Sequence, residues 1–132
     1  MFELVVEKTI ACAHFLRNYV GPCERLHGHN YRILVFVTGD TLDEAGMLED
    51  FGEIKRALSA ILERMDHYHL NDLPEFVDLS PSAENIARVI GEALAKHPWK
   101  RGRLDRVQVW ETPLQGATYY LPRGDGVSLH QA

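Results

Sequence analysis

The segment Cys23-Glu24-Arg25-Leu26-His27-Gly28-His29-Asn30-Tyr31 puts a thiol, a carboxylate and two imidazoles directly before an apolar strand pattern, Ile33 to Val37. If the strand begins near Leu26, the pleat sends His27 and His29 to the same face. Gly28 between them leaves room for backbone or ligand to approach. Neutral imidazole is the commonest protein ligand for zinc, so the pair reads as part of a metal site. His14, at the end of an earlier strand pattern, is the third ligand available. Three protein ligands leave a fourth position for water or substrate, which is the catalytic arrangement of zinc. The competing reading of His-x-His is two solvated or core imidazoles. A thiol four residues before His27 and a second polar cluster, Asp66-His67-Tyr68-His69, favour the metal.

The remaining reactive groups each carry two readings. Cys23, beside a divalent cation and Arg25, would act as a base or nucleophile through its thiolate. Buried packing is the alternative for a free cysteine, and the polar Pro22-Cys23-Glu24-Arg25 context favours chemistry. Cys12, two residues before His14, shares its face; packing is the preferred role and a fourth metal ligand the other. Asp66 next to His67 would orient an imidazole for acid–base work, or the two simply cap a solvated helix end. On residues alone His69 serves equally well as the active imidazole. His97 and His130 read as surface residues. Glu111 falls on the face of Val107 and Val109, where a charge is costly unless paired. Either it grips a heterocycle edge bearing two adjacent N–H donors, or the strand has ended and it faces water.

The elements that must position these groups follow from periodicity. Residues 2 to 14 alternate as a first strand, Phe15 to Arg25 is a loop, and a second strand runs through Tyr31 to Thr38, stopping at Gly39-Asp40. Asp50 starts a helix, with Glu53 as a capping-box partner and Phe51, Ile54, Leu58, Ile61, Leu62 and Met65 on its core face. After a polar connection from Asp66 to Leu79, a second helix opens with Ser80 as N-cap and Pro81 in its first turn. It carries Ile86, Val89, Ile90, Ala93 and Leu94 on one face and ends before Pro98. Strands return over Leu104 to Glu111 and Ala117 to Leu121. The order β-β-α-α-β-β predicts an α+β domain over residues 1–122, a four-stranded antiparallel sheet with both helices on one face, and a tail over 123–132. Such a sheet has two exposed edges, and joining subunits edge to edge is one way to cover them.

At 132 residues, 45% of them hydrophobic, the chain fits one domain with a modest core. A net charge of -5 and a pI near 5.8 offer no electrostatic argument for nucleic acid or an anionic membrane, so the expected partner is a small molecule. No apolar run approaches the ~18 residues of a membrane span and no leader pattern follows Met1, so a cytoplasmic protein with free thiols is expected.

Taken together, the motifs resemble those of the 6-pyruvoyl-tetrahydropterin synthase and 6-carboxy-tetrahydropterin synthase family. The matching pieces are Ala11-Cys12-Ala13-His14, Cys23-x-x-x-His27-Gly28-His29-Asn30-Tyr31, Leu48-Glu49-Asp50-Phe51, Met65-Asp66-His67, Leu70-Asn71-Asp72, Pro81-Ser82-Ala83-Glu84-Asn85 and Val109-Trp110-Glu111-Thr112-Pro113. The resemblance implies a tunnelling (T-) fold whose subunits close into a trimeric barrel and then a hexamer, with active sites at subunit interfaces. It implies zinc on His14, His27 and His29, a catalytic thiol at Cys23, and a proton-transfer pair, Asp66 with His67, offered by a neighbouring subunit. Glu111 would anchor the pterin edge, and Ser82 stands where the family has a pterin-contacting hydroxyl. The implied substrate is 7,8-dihydroneopterin triphosphate.

The short Cys-x-x-x-His-Gly-His spacing resembles the queuosine-pathway branch, which makes 6-carboxy-5,6,7,8-tetrahydropterin and releases acetaldehyde and triphosphate. Glu24, three residues before His27, matches a folate-pathway branch that cleaves the same side chain to 6-hydroxymethyl-7,8-dihydropterin, so that product or dual activity is the alternative. Formation of 6-pyruvoyl-tetrahydropterin is a further one. Ile10 and Cys12 depart from the phenylalanine and the alanine or serine usual in the family. Outside the enzyme class stands a non-catalytic zinc- or pterin-binding module, and a generic zinc hydrolase would need only the metal and one base.

Overall fold

The alternating stretch at the start of the chain forms β1, Phe2–His14, which pairs antiparallel with β2, His27–Gly39, in continuous register from Phe2 opposite Gly39 to His14 opposite His27. The structure is a computed structural model and describes residues 1–18, 20–21 and 25–123. Cys23, Glu24 and His130 lie outside the described residues. Two helices follow, α1 over Phe51–Leu62 and α2 over Ala83–Leu94, and then β3, Arg103–Thr112, and β4, Gln115–Tyr120. The sheet is an antiparallel meander in the order β1-β2-β3-β4. One apolar cluster joins Val6, Ile33, Val35, Val107 and Val109 of the sheet to Ile54 and Leu58 of α1 and Ile86 and Ile90 of α2, so both helices cover one face. Among the described residues no helix is long and apolar enough to cross a membrane.

Several boundaries move from their predicted positions. β2 begins at His27, next to the expected start near Leu26, so the histidines belong to the strand itself, whereas β4 spans Gln115–Tyr120 where the pattern predicts Ala117 to Leu121. Leu121 leaves the ladder but stays buried, its N–H donating to the Asp105 carbonyl at 2.9 Å. Helix α1 is capped by Asp50, whose Oδ1 accepts from the Gly52 N–H at 2.6 Å, while Glu53 turns to Lys100 at 3.4 Å and forms no capping box. Phe51 is 49% exposed and is absent from the apolar cluster, so the core face of α1 begins at Ile54. Helix α2 starts two residues later than predicted. Its cap is Ser82, whose Oγ accepts from the Asn85 N–H at 3.2 Å, since the Ser80 hydroxyl is already committed, accepting from the Arg17 N–H at 3.1 Å.

One buried carboxylate organises the entry to β3. Glu49 is almost fully covered, and its Oε2 accepts from the N–H groups of Lys100, Arg101 and Gly102 at 2.9, 2.6 and 2.7 Å. Charge-assisted bonds to three successive backbone donors offset its desolvation and pin the turn between α2 and β3.

Candidate metal and pterin site

Strand pairing builds the site before any ligand is considered. His14 lies opposite His27 and Cys12 opposite His29 in the β1–β2 register, so the three imidazoles share the helix-covered face. Their ligand nitrogens all fall within 4.8 Å of one another. The His14 Nδ1 donates to the Pro81 carbonyl at 2.6 Å and the His27 Nδ1 to the Arg25 carbonyl at 2.7 Å. Because a carbonyl only accepts, each ring in its neutral form carries its proton on Nδ1 and presents a bare Nε2. Those two Nε2 atoms stand 2.9 Å apart, and lone pairs at that distance repel unless a cation lies between them. The His29 Nε2 is buried with no hydrogen-bond partner among the described residues, 3.8 Å from the Glu111 carboxylate. Burial lowers the pKa of both His14 and His29, which keeps them in the neutral form a metal requires. Ring-nitrogen protons held by backbone carbonyls are the usual second layer around a histidine-bound metal. The donor set therefore fits a divalent metal such as zinc, with Glu111 near the open side.

Glu111 sits inside β3, which continues to Thr112, and its side chain is 18% exposed. It lines a cavity of about 240 Å³ with Ala83, Glu84, Gln115, Gly116 and Ala117, and its Oε2 lies 3.4 Å from the Gln115 amide. Gly116 is required there, since a Cβ would come within 2.6 Å of the Trp110 ring. Ser82, at the head of α2, follows directly on the Pro81 carbonyl that holds His14. The N-terminus of α2 thus abuts the histidine cluster.

Asp66 and His67 occupy a different place, the outer edge of β1. The Asp66 Oδ1 accepts from the Ala11 N–H at 2.9 Å and stands 3.1 Å from the His67 Nδ1. His67 has φ of +65°, a left-handed backbone rare for a residue with a side chain, held by its own N–H on the Ala11 carbonyl at 2.5 Å. Strain of this kind persists where the surroundings impose it. The His67 side chain is 81% exposed and lines a cleft of about 470 Å³ with Ala11, Ala13, His29, Asn30 and His69. His69 forms a second pair, its Nδ1 3.3 Å from Asp72, with a buried Nε2 that has no hydrogen-bond partner among the described residues. Residues 67–69 pair with Ala11 and Ala13 and so cover that end of the β1 edge. The structure thus brings His14, His27, His29, Glu111 and the head of α2 together, and places Asp66–His67 at the edge of β1, where the exposed His67 shares a cleft with His29.

Cys12 stands outside the cluster of metal-ligating atoms and is buried, its thiol pushed up to about 12 by burial first and by the charge of Asp66 second. That suits packing and not coordination. Residue patterns miss the carbonyl partners of His14 and His27, because every residue has a carbonyl. They also miss Tyr31, fully buried with its ring edge-on to His14 and His29 at 5.6 and 5.3 Å. Its hydroxyl has no hydrogen-bond partner among the described residues, and burial raises its pKa.

Residues 3–122 match the 6-pyruvoyl tetrahydropterin synthase family, and the chain belongs to it, a family of lyase-type pterin enzymes. The 6-carboxy-5,6,7,8-tetrahydropterin synthase of Synechocystis sp. is 36% identical over 128 residues, covering 93% of this chain and 96% of the relative. The dihydroneopterin monophosphate aldolase of Pyrococcus furiosus is 32% identical over 109 residues, 83% of this chain and 89% of its own length. Among solved structures, the 6-pyruvoyl tetrahydropterin synthase of Caenorhabditis elegans superposes with a TM-score of 0.83 at 26% identity, over 91% of this chain and 95% of that one.

Proposed function

We propose that this protein is a zinc-dependent enzyme converting 7,8-dihydroneopterin triphosphate to 6-carboxy-5,6,7,8-tetrahydropterin, with release of acetaldehyde and triphosphate. The observation that carries the reading is the convergence of three histidine nitrogens, two with their tautomer fixed by backbone carbonyls. The similarity to the Synechocystis enzyme supports the choice of product. His14, His27 and His29 hold the metal. When bound, zinc supplies Lewis-acid polarisation of the substrate's side-chain hydroxyls. Glu111 accepts two N–H donors from the pterin edge and Ser82 contributes its hydroxyl, which orients the ring. Cys23 moves a proton as thiolate, and Asp66 with His67 forms the second proton-transfer pair. The exposure of His67 at the edge of β1 supports a role at a neighbouring subunit's site, in a trimer or hexamer built by pairing the free sheet edges. The catalytic domain is residues 1–122, with 123–132 as a tail, and the enzyme works in the cytoplasm.

A second reading rests on Glu24 and on the similarity to the Pyrococcus aldolase. Glu24 would then take part in cleaving the same side chain to 6-hydroxymethyl-7,8-dihydropterin. The deciding experiment incubates the zinc-loaded protein with 7,8-dihydroneopterin triphosphate, identifies the pterin by mass spectrometry and traps acetaldehyde separately. Carboxy-tetrahydropterin with acetaldehyde upholds the first reading. Hydroxymethyl-dihydropterin, alone or mixed, moves the protein to the second or to dual activity. Tight pterin and zinc binding without product leaves a binding module.

A further inference from the structure

The orientation of His14 depends on a carbonyl carried by an irregular segment, since residues 70–81 hold only two short 3-10 turns, Leu70–Asp72 and Pro74–Phe76. Something must hold that segment against the end of β1, and the hydrogen bonds show what does. The Asn71 carboxamide brackets Phe15, accepting from its N–H at 3.0 Å and donating to its carbonyl at 3.1 Å. Two residues on, the Arg17 guanidinium donates to three main-chain carbonyls of the segment: Phe76, Leu79 at 3.3 Å and Asn71 at 3.3 Å. The Arg17 N–H donates to the Ser80 hydroxyl at 3.1 Å, one residue before the carbonyl that holds His14. Among the described residues no carboxylate pairs with Arg17, so its planar fork is spent on backbone alone. The guanidinium also lies 5.7 Å from the Phe15 ring.

We infer that Arg17 is a positioning residue for the metal centre: by gathering the 71–80 backbone it sets the Pro81 carbonyl that fixes the ring orientation and tautomer of His14. The inference rests on the zinc reading above for its consequence, but its geometric core does not. Loss of a partner that orients a ligating histidine typically weakens metal binding about 10–100-fold, and a residue acting through that partner belongs at the lower end.

The test compares Arg17→Met, Ser80→Ala and Arg88→Ala with the parent, Arg88 being an exposed residue of α2 paired with Glu92. Two readouts are taken: the imidazole nitrogen spectrum of the metal-free protein, which reports the His14 Nδ1–H directly, and zinc affinity by chelator competition, with the cobalt absorption spectrum as its geometric signature. The parent and Arg88→Ala should show a single Nδ1–H tautomer at His14. Arg17→Met should show mixed tautomers, roughly tenfold weaker zinc binding and an altered cobalt spectrum, and Ser80→Ala the same changes to a smaller degree. If Arg17→Met does not fold, Ser80→Ala carries the test. Folded variants with the parent's tautomer and a zinc affinity within about twofold would overturn the inference, as would a parent in which His14 is not the Nδ1–H form. A parent that binds no zinc, alongside an Arg17→Met protein that loses the Nδ1–H signal, would sink the metal reading and leave the positioning role standing.

Discussion

Two buried polar regions of this molecule make opposite use of their charge. Around Glu49 the account is closed: one carboxylate oxygen meets three backbone donors, and the group reads as structural. Around His14, His27 and His29 it is open, with two bare nitrogens facing each other, a third without a hydrogen-bond partner among the described residues, and Glu111 close by. A buried polar group left short of partners costs stability. A fold that keeps several such groups in one place is holding them for something that arrives later. Closure of polar groups marks structure, and a shared shortfall marks a site.

The largest effect expected from disturbing this contrast is at the open site. His27→Ala should lose both zinc and turnover, measured by metal content and product formation, and parent-like metal content would remove His27 from the ligand set. Cys23→Ala should keep zinc and pterin binding while turnover falls about 10²–10⁴-fold, the usual worth of a proton-transfer group; near-parent rates would take the thiol out of the reaction. At the closed site the readout inverts. Glu49→Ala strands three backbone donors and should cost at least ~2 kcal/mol by denaturant unfolding, with zinc stoichiometry of the folded protein unchanged. Loss of zinc there without loss of stability would erase the distinction between the two regions. Glu111→Gln should weaken pterin affinity about tenfold or more, on the scale of a lost charge-assisted bond, and leave metal content alone. The smallest effect is at Cys12: buried and with its thiol at about 12, it should resist alkylation in the native protein at neutral pH and react on unfolding. Rapid native labelling of Cys12 would show that this part of the strand opens.

Most of the fold was legible because each element repeats its own signal. The alternation of β1 and the three-and-four spacing of α1 encode which faces are buried, and burial is what the structure then displays. Boundaries were less legible where two residues compete for one role. Ser80 and Ser82 both suit a helix cap, and the choice turned on the Asn85 and Arg17 contacts that engage Ser80. Phe51 fitted the periodic stripe of α1, but periodicity marks a face of the helix and not whether each turn of that face is covered.

What the sequence determined by itself was the chemistry: which residue types were present, the two-residue spacing that turns His27 and His29 to one side, and the apolar periods that set the sheet and helices around them. Only the tertiary structure decided what those groups are close to. The β1–β2 register brought His14 opposite His27, backbone carbonyls chose their tautomers, and hydrogen bonds to Ala11 set Asp66 and His67 at the edge of β1. The physical reason is that side-chain type and period are local properties of the chain, whereas a tautomer or an orphaned nitrogen depends on contacts between residues distant in sequence, which exist only once the chain has closed on itself.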